Sequence, residues 1–566
     1  MTVSSELENV PPVAVVHRDA LVTGKLRWRC LLAALAVAII FTVVVVHWSQ
    51  EHGRLSTMSN WDDSMYLTHG WLSAATLQER GILKFLGFER SWPPHSIYVD
   101  LQCMAGFLLL GFTDSSPYYF SCVSVTASLV LLGILTRWNK LATGALWALF
   151  LATPMAFQMV HMVKADVACG VWFVLGAALL LEGRLMCIGT AELLSRLLPF
   201  FVAILCRPPG LIYLLPLFAV CWLLAWTREW LAARETGETF DWSVALRRVL
   251  LPVVGLVVLA PYYFFAYRWF RGYFTDAYKH RDYYSPARSA LGDLVYYFEP
   301  HVFVDTLGVT LPVALAACAA LLVLSLRDRD AGLRGNGWFW LASTGIAWLG
   351  ITVAYYKTPL IGSTFYIFVF CALPLLWRLL QRPLVRAWLV ALIVVTAGTM
   401  VIGTHWSAPD ECFGTGRNDP RTQTLFSASS RVIELARAAC ATRAAAAGLS
   451  PQNLKLRVFF TSDAYLNYQN FEYEMAKAGF WKVDGLGLDF SPALDEQLAA
   501  ARRSDLVVAC DAGANWPYPT KRPAEALQDK MVQFLKGDAG FSLLGDATSL
   551  GEKKFYVFEN LQPRVR

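Results

Sequence analysis

The sequence predicts a mainly α-helical, polytopic membrane protein that ends in a soluble α/β domain. Three observations predict it. Of 566 residues, 56% are hydrophobic and only 16% charged, with mean hydropathy +0.43, whereas a soluble domain carries roughly a quarter charged residues. Apolar runs recur from Cys30 to about residue 403, most near the ~20 residues that a spanning helix needs. From His405 onward charged and polar residues return, and no later run is apolar enough to span.

The first span is expected at Cys30 to Val46, preceded by Lys25, Arg27 and Arg29. It is too long for a signal-peptide core and lacks a small-residue cleavage site, so it predicts an uncleaved helix with a cytoplasmic N-terminus. Further runs fall near 118–136, 141–161, 167–181, 187–206, 209–226, 249–267, 301–326, 337–355, 360–377 and 387–403, for about eleven spans in all. The segment 95–112 is opened by Pro93 and Pro94, interrupted by Asp100 and too short to cross, so an interfacial helix or re-entrant segment is expected there. With it outside the count, the loops holding Arg137 and Lys140, Arg184, Arg228 and Arg234, Arg247 and Arg248, Arg327 and Arg334, and Arg378 to Arg386 all fall inside, as the positive-inside rule requires.

The membrane half is expected at 1–403 and the soluble, extracytoplasmic domain at 404–566. In that domain Leu456 to Thr461 and Leu506 to Cys510 resemble buried strands. Asp463 to Ala478 and Ser491 to Arg503 resemble capped helices, Phe541 to Phe558 a hairpin, and the Ala-rich 438–447 stretch a helix. Cys412 and Cys440 either pair in an oxidising compartment or stay reduced. The other Cys are mostly isolated in apolar runs, as small buried hydrophobes are. The 49 Lys and Arg against 43 Asp and Glu leave too small and dispersed a surplus for a nucleic-acid partner. The 21 Trp, 22 Tyr and 34 Phe suit an interface with membrane lipids.

The candidate chemistry collects on the outer loops. Ser59-Asn60-Trp61-Asp62-Asp63-Ser64-Met65-Tyr66 places two carboxylates beyond a membrane exit, where one suits a general base toward a hydroxyl. Asp63 also reads as an N-cap for the amphipathic stretch through Leu77. Asp166 follows Lys164 at another exit, as a site residue or a helix anchor. Arg207-Pro208-Pro209 fixes a guanidinium that suits a phosphate, or one that snorkels. The outer stretch 268–288 interleaves Arg268, Arg271, Lys279, Arg281 and Arg288 with Tyr273, Tyr278, Tyr283 and Tyr284, against the topology rule. Bulk anionic lipid or a lipid-linked phosphate accounts for such charge. Lys357 adds an outer cation before Pro359, and Tyr366 lies shortly inside the next span. No HExxH, GxSxG, Walker A or dinucleotide glycine pattern occurs in a usable context, and nine scattered His lack ligand spacing.

In this order, the Trp61-Asp62-Asp63-Ser64-Met65-Tyr66 loop and the Pro93-Pro94 entry resemble the protein mannosyltransferase-like glycosyltransferases of the GT-C superfamily. Lipid A aminoarabinose transferases, which also carry a soluble C-terminal domain, are similar in architecture. The family's second outer acid falls on Asp166 within Lys164-Ala165-Asp166-Val167, its Lys-Gly turn on Arg207-Pro208, and its later outer Lys on Lys357 before Tyr366. The resemblance covers roughly residues 30–380. The chain departs from the pattern at Trp92, where the family has His, with His95 after the prolines instead, and at Arg207 in place of the turn Lys.

The resemblance implies a GT-C-like fold that transfers a sugar, with inversion, from a polyprenyl-phosphate donor to a hydroxyl of a glycan, lipid or protein acceptor. The setting implied is the outer face of a bacterial inner membrane, with the C-terminal domain periplasmic. It casts Asp62 as base, with Asp63 as its alternate, and Asp166 as an acceptor-binding or charge-stabilising residue. Arg207, Lys357, Arg268 and Arg271 would hold the donor phosphate. Lys164, Tyr66, His95 and Tyr366 would be further substrate contacts. No cofactor is expected, although a divalent cation fits if Asp62, Asp63 and Asp166 converge. The alternatives are a transporter or flippase for a lipid-linked sugar, which needs charges along the membrane centre, and a non-catalytic polysaccharide-assembly protein.

Overall fold

The computed structural model describes residues 24–56, 61–91, 96–163, 165–182, 185–186, 188–207, 210–237, 239–279, 289–327, 331–353, 359–380, 382–402, 420–461, 466–487, 494–511, 525–548 and 554–562. The membrane half opens with α1 (Gly24–His52). It continues through α2 (Trp61–Arg80), α3 (Ile82–Ser91), α4 (Ile97–Leu110), α5 (Ser116–Tyr119), α6 (Cys122–Leu135), α7 (Lys140–Leu151), α8 (Pro154–His161), α9 (Ala165–Leu181) and α10 (Thr190–Cys206). Next come α11 (Leu211–Thr236), α12 (Trp242–Val249), α13 (Leu251–Lys279), α14 (Thr310–Arg327), α15 (Ala331–Thr352), α16 (Ser363–Phe370), α17 (Ala372–Leu379) and α18 (Pro383–Ile402).

The protein is a mainly helical, multi-span membrane protein. Among the described residues seven helices are long and apolar enough to cross a bilayer, and an eighth span forms if α7 and α8, bent by 65° at their junction, count as one. This is fewer than the eleven or so expected from the sequence. The shortfall lies in α9 and α10, with 17 residues each, and in α15, whose first turns contain Arg334 and Asn336. Helices enclosed by other helices need neither full length nor unbroken hydropathy, and α9 is buried along nearly its whole length. The segment expected not to cross forms α4, which at 14 residues is too short to do so.

Helix α9 is the central strut. A Cβ at Gly170 would lie 2.9 Å from backbone atoms of Ser363 and Thr364, so only glycine lets α16 approach there. At Gly176 the added carbon would lie 2.7 Å from the Phe200 ring of α10. Its C-terminal carbonyls are capped from other elements. Arg196 donates to Leu179 O at 3.2 Å and also to Glu182 O, Arg228 to Leu181 O at 3.1 Å, and Arg378 pairs with Glu182 at 2.5 Å. Arg228 and Arg378 belong to loops that marked the inner side in the sequence, whereas Arg196 lies within the run 187–206 expected to span.

Beyond the membrane half, α19 (Pro420–Ala446) leads into β1 (Lys455–Phe460), α20 (Tyr468–Lys477), β2 (Lys482–Gly487), α21 (Leu494–Arg502), β3 (Leu506–Cys510), α22 (Glu525–Gly537), β4 (Phe541–Thr548) and β5 (Lys554–Asn560). The sheet order is β2-β1-β3-β5-β4, with β1, β2 and β3 parallel and β5 antiparallel to both β3 and β4. Val458, Phe460 and Val508 face α19 and α20, while Phe459, Val507 and Phe558 face α21 and α22. The expected strands, helices and hairpin are present. Strand β2 and helix α22 were not foreseen, because Lys-Val-Asp-Gly-Leu-Gly is an edge strand without apolar alternation. Helix α20 begins later than expected, at a capping box between Asn467 and Asn470. Cys440 is buried with a free thiol, and Cys412 lies outside the described residues.

The soluble domain docks on α2. Tyr473 donates to Asp114 Oδ1 at 2.9 Å, Lys477 pairs with the same carboxylate at 3.0 Å, and Trp71 meets the Tyr473 ring edge to face at 6.2 Å. At the far end of α2 the Arg80 guanidinium lies 4.6 Å from the Trp481 ring centre. Of these contacts the buried aromatic one carries most weight, because Asp114 is largely exposed.

Gly170→Val tests the central packing. The β-branched side chain forces α9 and α16 apart and lowers stability by about 1–3 kcal/mol. Thermal unfolding of the detergent-solubilised protein should show a lower midpoint, whereas an unchanged one would place the helices further apart than described.

Candidate active site

Helix α2 puts its two adjacent acids at different register positions. Positions 63, 67, 70 and 74 face the interior, where Asp63 is fully buried and pairs with Arg54, Nη2 to Oδ2, at 3.0 Å. Tyr118 donates to the same oxygen at 3.3 Å. Gly70 opens the way for α4, since a Cβ there would collide with Cys103. Asp63 is therefore not the helix cap that one reading of the sequence suggests: the helix begins two residues earlier, and the carboxylate anchors it to Arg54.

Positions 62, 66, 69 and 73 form a separate stripe. Asp62 holds the first register position, its side chain lying outside the described residues, and Tyr66 is buried one turn on. His69, 3% exposed, places Nε2 3.8 Å from Glu89 Oε2 and Nδ1 3.6 Å from Asp100 Oδ1. Ser73 donates to Glu89 Oε1 at 2.6 Å. Gly81, at φ 77°, ends α2 in the left-handed conformation and sends α3 off in a new direction, with Glu89 near its far end.

Ser73, Glu89 and Asp100 form the polar end of a cavity of about 410 Å³. Its other walls are apolar, from Phe85 and Leu86 of α3, Ile97, Leu101 and Met104 of α4, and Phe265 of α13, with Tyr262 beside them. Leu83 and Leu86 of α3 are also largely exposed, as for a helix lying against lipid. Burial pushes the Glu89 carboxyl up from its ordinary range against the opposing Ser73 hydrogen bond. Burial, then the neighbouring Glu89, pushes Asp100 well up, against the backbone hydrogen bond at Ser96.

A second pair borders this region. Asp166, in the first turn of α9, forms an ion pair with Arg207, which caps the C-terminus of α10. Ser96, the N-cap of α4, donates to Cys206 O at 2.5 Å, so the helix bearing Asp100 is tied to the residue before Arg207. Arg207 also lies within electrostatic reach of Tyr213 and Tyr297.

Arg268 and Arg271 are exposed on α13, beyond the cavity-lining Phe265. Tyr366 is fully buried in α16, and its hydroxyl donates to Tyr297 O at 2.8 Å. His95, Lys164 and Lys357 lie outside the described residues. Among the described residues no group of three His, Cys, Asp or Glu side chains is placed to hold a metal, and Asp63 and Asp166 each face an arginine. Sequence reasoning missed Arg54, His69 and Glu89, and took Asp100 only as an interruption. The spacing 62, 66, 69, 73 was the available signal.

No protein-family pattern matches the chain, and no curated protein matches it in sequence. Its architecture nevertheless has a solved counterpart: the fold is that of the GT-C membrane glycosyltransferases. In particular, it is similar to ArnT from Cupriavidus metallidurans. The form solved with undecaprenyl phosphate aligns at TM-score 0.51 with 13% identity, over 93% of this chain and 97% of that one. The apo form aligns at TM-score 0.52 with 14% identity, over 95% and 100%. A weaker likeness, TM-score 0.48 with 11% identity over 84% and 67%, is to an oligosaccharyltransferase of Archaeoglobus fulgidus.

Removing one member of the Arg54–Asp63 pair leaves a buried charge uncompensated, which costs about 3–5 kcal/mol. Arg54→Met and Asp63→Asn should each lower the unfolding midpoint sharply. The double variant Arg54→Met/Asp63→Leu should recover most of the loss. A loss in the double variant equal to the sum of the two single losses would show that the two side chains act independently.

Proposed function

We propose that the protein is an inverting glycosyltransferase that moves a sugar from a polyprenyl-phosphate carrier to a hydroxyl of a glycan, lipid or protein acceptor. The observation that carries this reading is the cavity between α2, α3, α4 and α13. Apolar walls suited to a prenyl chain end at carboxyl groups and a histidine, beside the Asp166–Arg207 pair. The fold around it is shared with a transferase solved with undecaprenyl phosphate. Lipid-linked substrates enter such a site sideways from the bilayer, between a short helix and an interfacial one.

In this proposal residues 1–403 form the catalytic domain and 404–566 a periplasmic domain, in a bacterial inner membrane with the N-terminus cytoplasmic. Asp62, in the register of Tyr66 and His69, accepts the proton of the acceptor hydroxyl, and Asp63 fixes the helix that carries it. Asp166 faces the positive charge that develops at the sugar. Arg207, Lys357, Arg268 and Arg271 draw in and hold the donor phosphate, and charge on that leaving group grows in the transition state. Lys164, Tyr66 and His95 complete the substrate contacts. Tyr366 acts through Tyr297, which it holds near Arg207.

Purified protein in nanodiscs, given a panel of short polyprenyl-phosphate sugars, should release free polyprenyl phosphate, and Asp62→Asn should lose at least about 10²-fold in rate. Tight binding of a donor with no release from any of them would overturn the assignment. Phosphatase fusions at residues 140, 238 and 330 should be silent in cells and those at 280 and 450 active. Failure of the two groups to separate would overturn the orientation.

A further inference from the structure

The polar end of the cavity poses a problem of charge. Its described lining residues include Glu89 and Asp100 but no Lys or Arg. Two neighbouring carboxylates in apolar walls resist joint ionisation, and an anionic phosphate entering beside them meets charge of its own sign. Such a cavity admits a phosphate when its carboxyls carry protons, and a protonated carboxyl is a hydrogen-bond donor rather than a repelling charge.

Glu89 is built to hold a proton at one atom. Ser73 donates to Oε1 at 2.6 Å, so the proton belongs on Oε2, which faces His69 Nε2 at 3.8 Å. Asp100 supplies a second, independent sign of a ligand. It is only 6% exposed, it lines the cavity, and among the described residues no side chain hydrogen-bonds its carboxyl oxygens, His69 Nδ1 standing 3.6 Å away and only the backbone at Ser96 countering its burial. The groups facing Glu89 are His69 and Ser73 from α2, Asp100 from α4 and Tyr262 from α13, with the Phe88 ring against His69.

Given the glycosyl transfer proposed above, on which this rests, we infer that Glu89 is the general acid of the reaction, delivering its Oε2 proton to the departing polyprenyl phosphate. The acceptor oxygen bonds to the anomeric carbon and its proton passes to Asp62. The bond from that carbon to the phosphate oxygen breaks, with the electron pair staying on oxygen, and Glu89 protonates the phosphate group, so that it leaves as a monoanion. One proton returned from Asp62 to Glu89 through solvent restores both residues. Without the acid, the phosphate would leave as a dianion beside Asp100 and the apolar walls, and the cations that hold it would have to offset the second charge alone. His69, between the two carboxyls, is a positioning residue that holds Glu89 toward the cavity.

The test is the pH profile of polyprenyl phosphate release in nanodiscs for the full-length protein. A general acid works while protonated, so the wild-type rate should fall as pH rises through the upward-shifted range of Glu89. Glu89→Gln should lower kcat by about 10²-fold or more at neutral pH, remove that alkaline limb and leave KM for the donor unchanged. Ser73→Ala, which cannot abolish the carboxyl, should move the limb to higher pH, since the lost hydrogen bond had lowered the Glu89 pKa. A Glu89→Gln profile that keeps the limb, a fall in KM and kcat together, or a Ser73→Ala limb that stays in place would each overturn the inference while leaving the glycosyltransferase assignment standing. Absence of release by the wild type would instead remove the assignment itself.

Discussion

A charge beside hydrocarbon must be matched where it stands, and that constraint organises the end of this protein where α2, α4 and α9 meet. Arg54 matches Asp63 and Arg207 matches Asp166, each pair joining separate elements. An unmatched partner in either would be strongly destabilising, so the pairs fix where Arg54 meets α2 and where α9 meets the end of α10. Among the described residues no arginine lines the cavity of Glu89 and Asp100, and there His69 stands between the two carboxyls. The same requirement thus yields rigid anchors in two places and titratable groups in a third.

Helix α9 connects this end to the other. Its first turn holds Asp166, while its last carbonyls are gripped by Arg196 and Arg228, with Arg378 on Glu182 just beyond. Clamped at both ends and pressed against α16 at Gly170, it cannot slide without breaking buried contacts on several helices. Precision at Asp166 therefore comes from contacts a full helix length away.

The sequence carries much of the architecture, because hydropathy and strand patterning are local properties. The apolar runs fall on helices, α4 falls short of spanning, and the parallel strands and terminal hairpin lie where the Val- and Phe-rich segments place them. The site is less legible. His69, Glu89 and Asp100 come from three helices, and nothing in the spacing of residues 69, 89 and 100 announces that they meet. The adjacent pair Asp62 and Asp63 was visible as a feature, but which acid is structural depends on where helix α2 begins. Arg228 was read only for orientation and Arg196 not at all, although both cap a helix, a role that depends on tertiary contact.

The docking of the soluble domain on α2 has a consequence for biogenesis. Tyr473 and Lys477 meet Asp114 across separations of 359 and 363 residues, so this contact exists only after the last quarter of the chain has been made and folded. Until then the helix that presents the Asp62 stripe lacks the partner that covers Trp71. A ribosome-bound chain therefore lacks this contact, and assembly of the membrane half finishes only once the C-terminal sheet domain has folded against it.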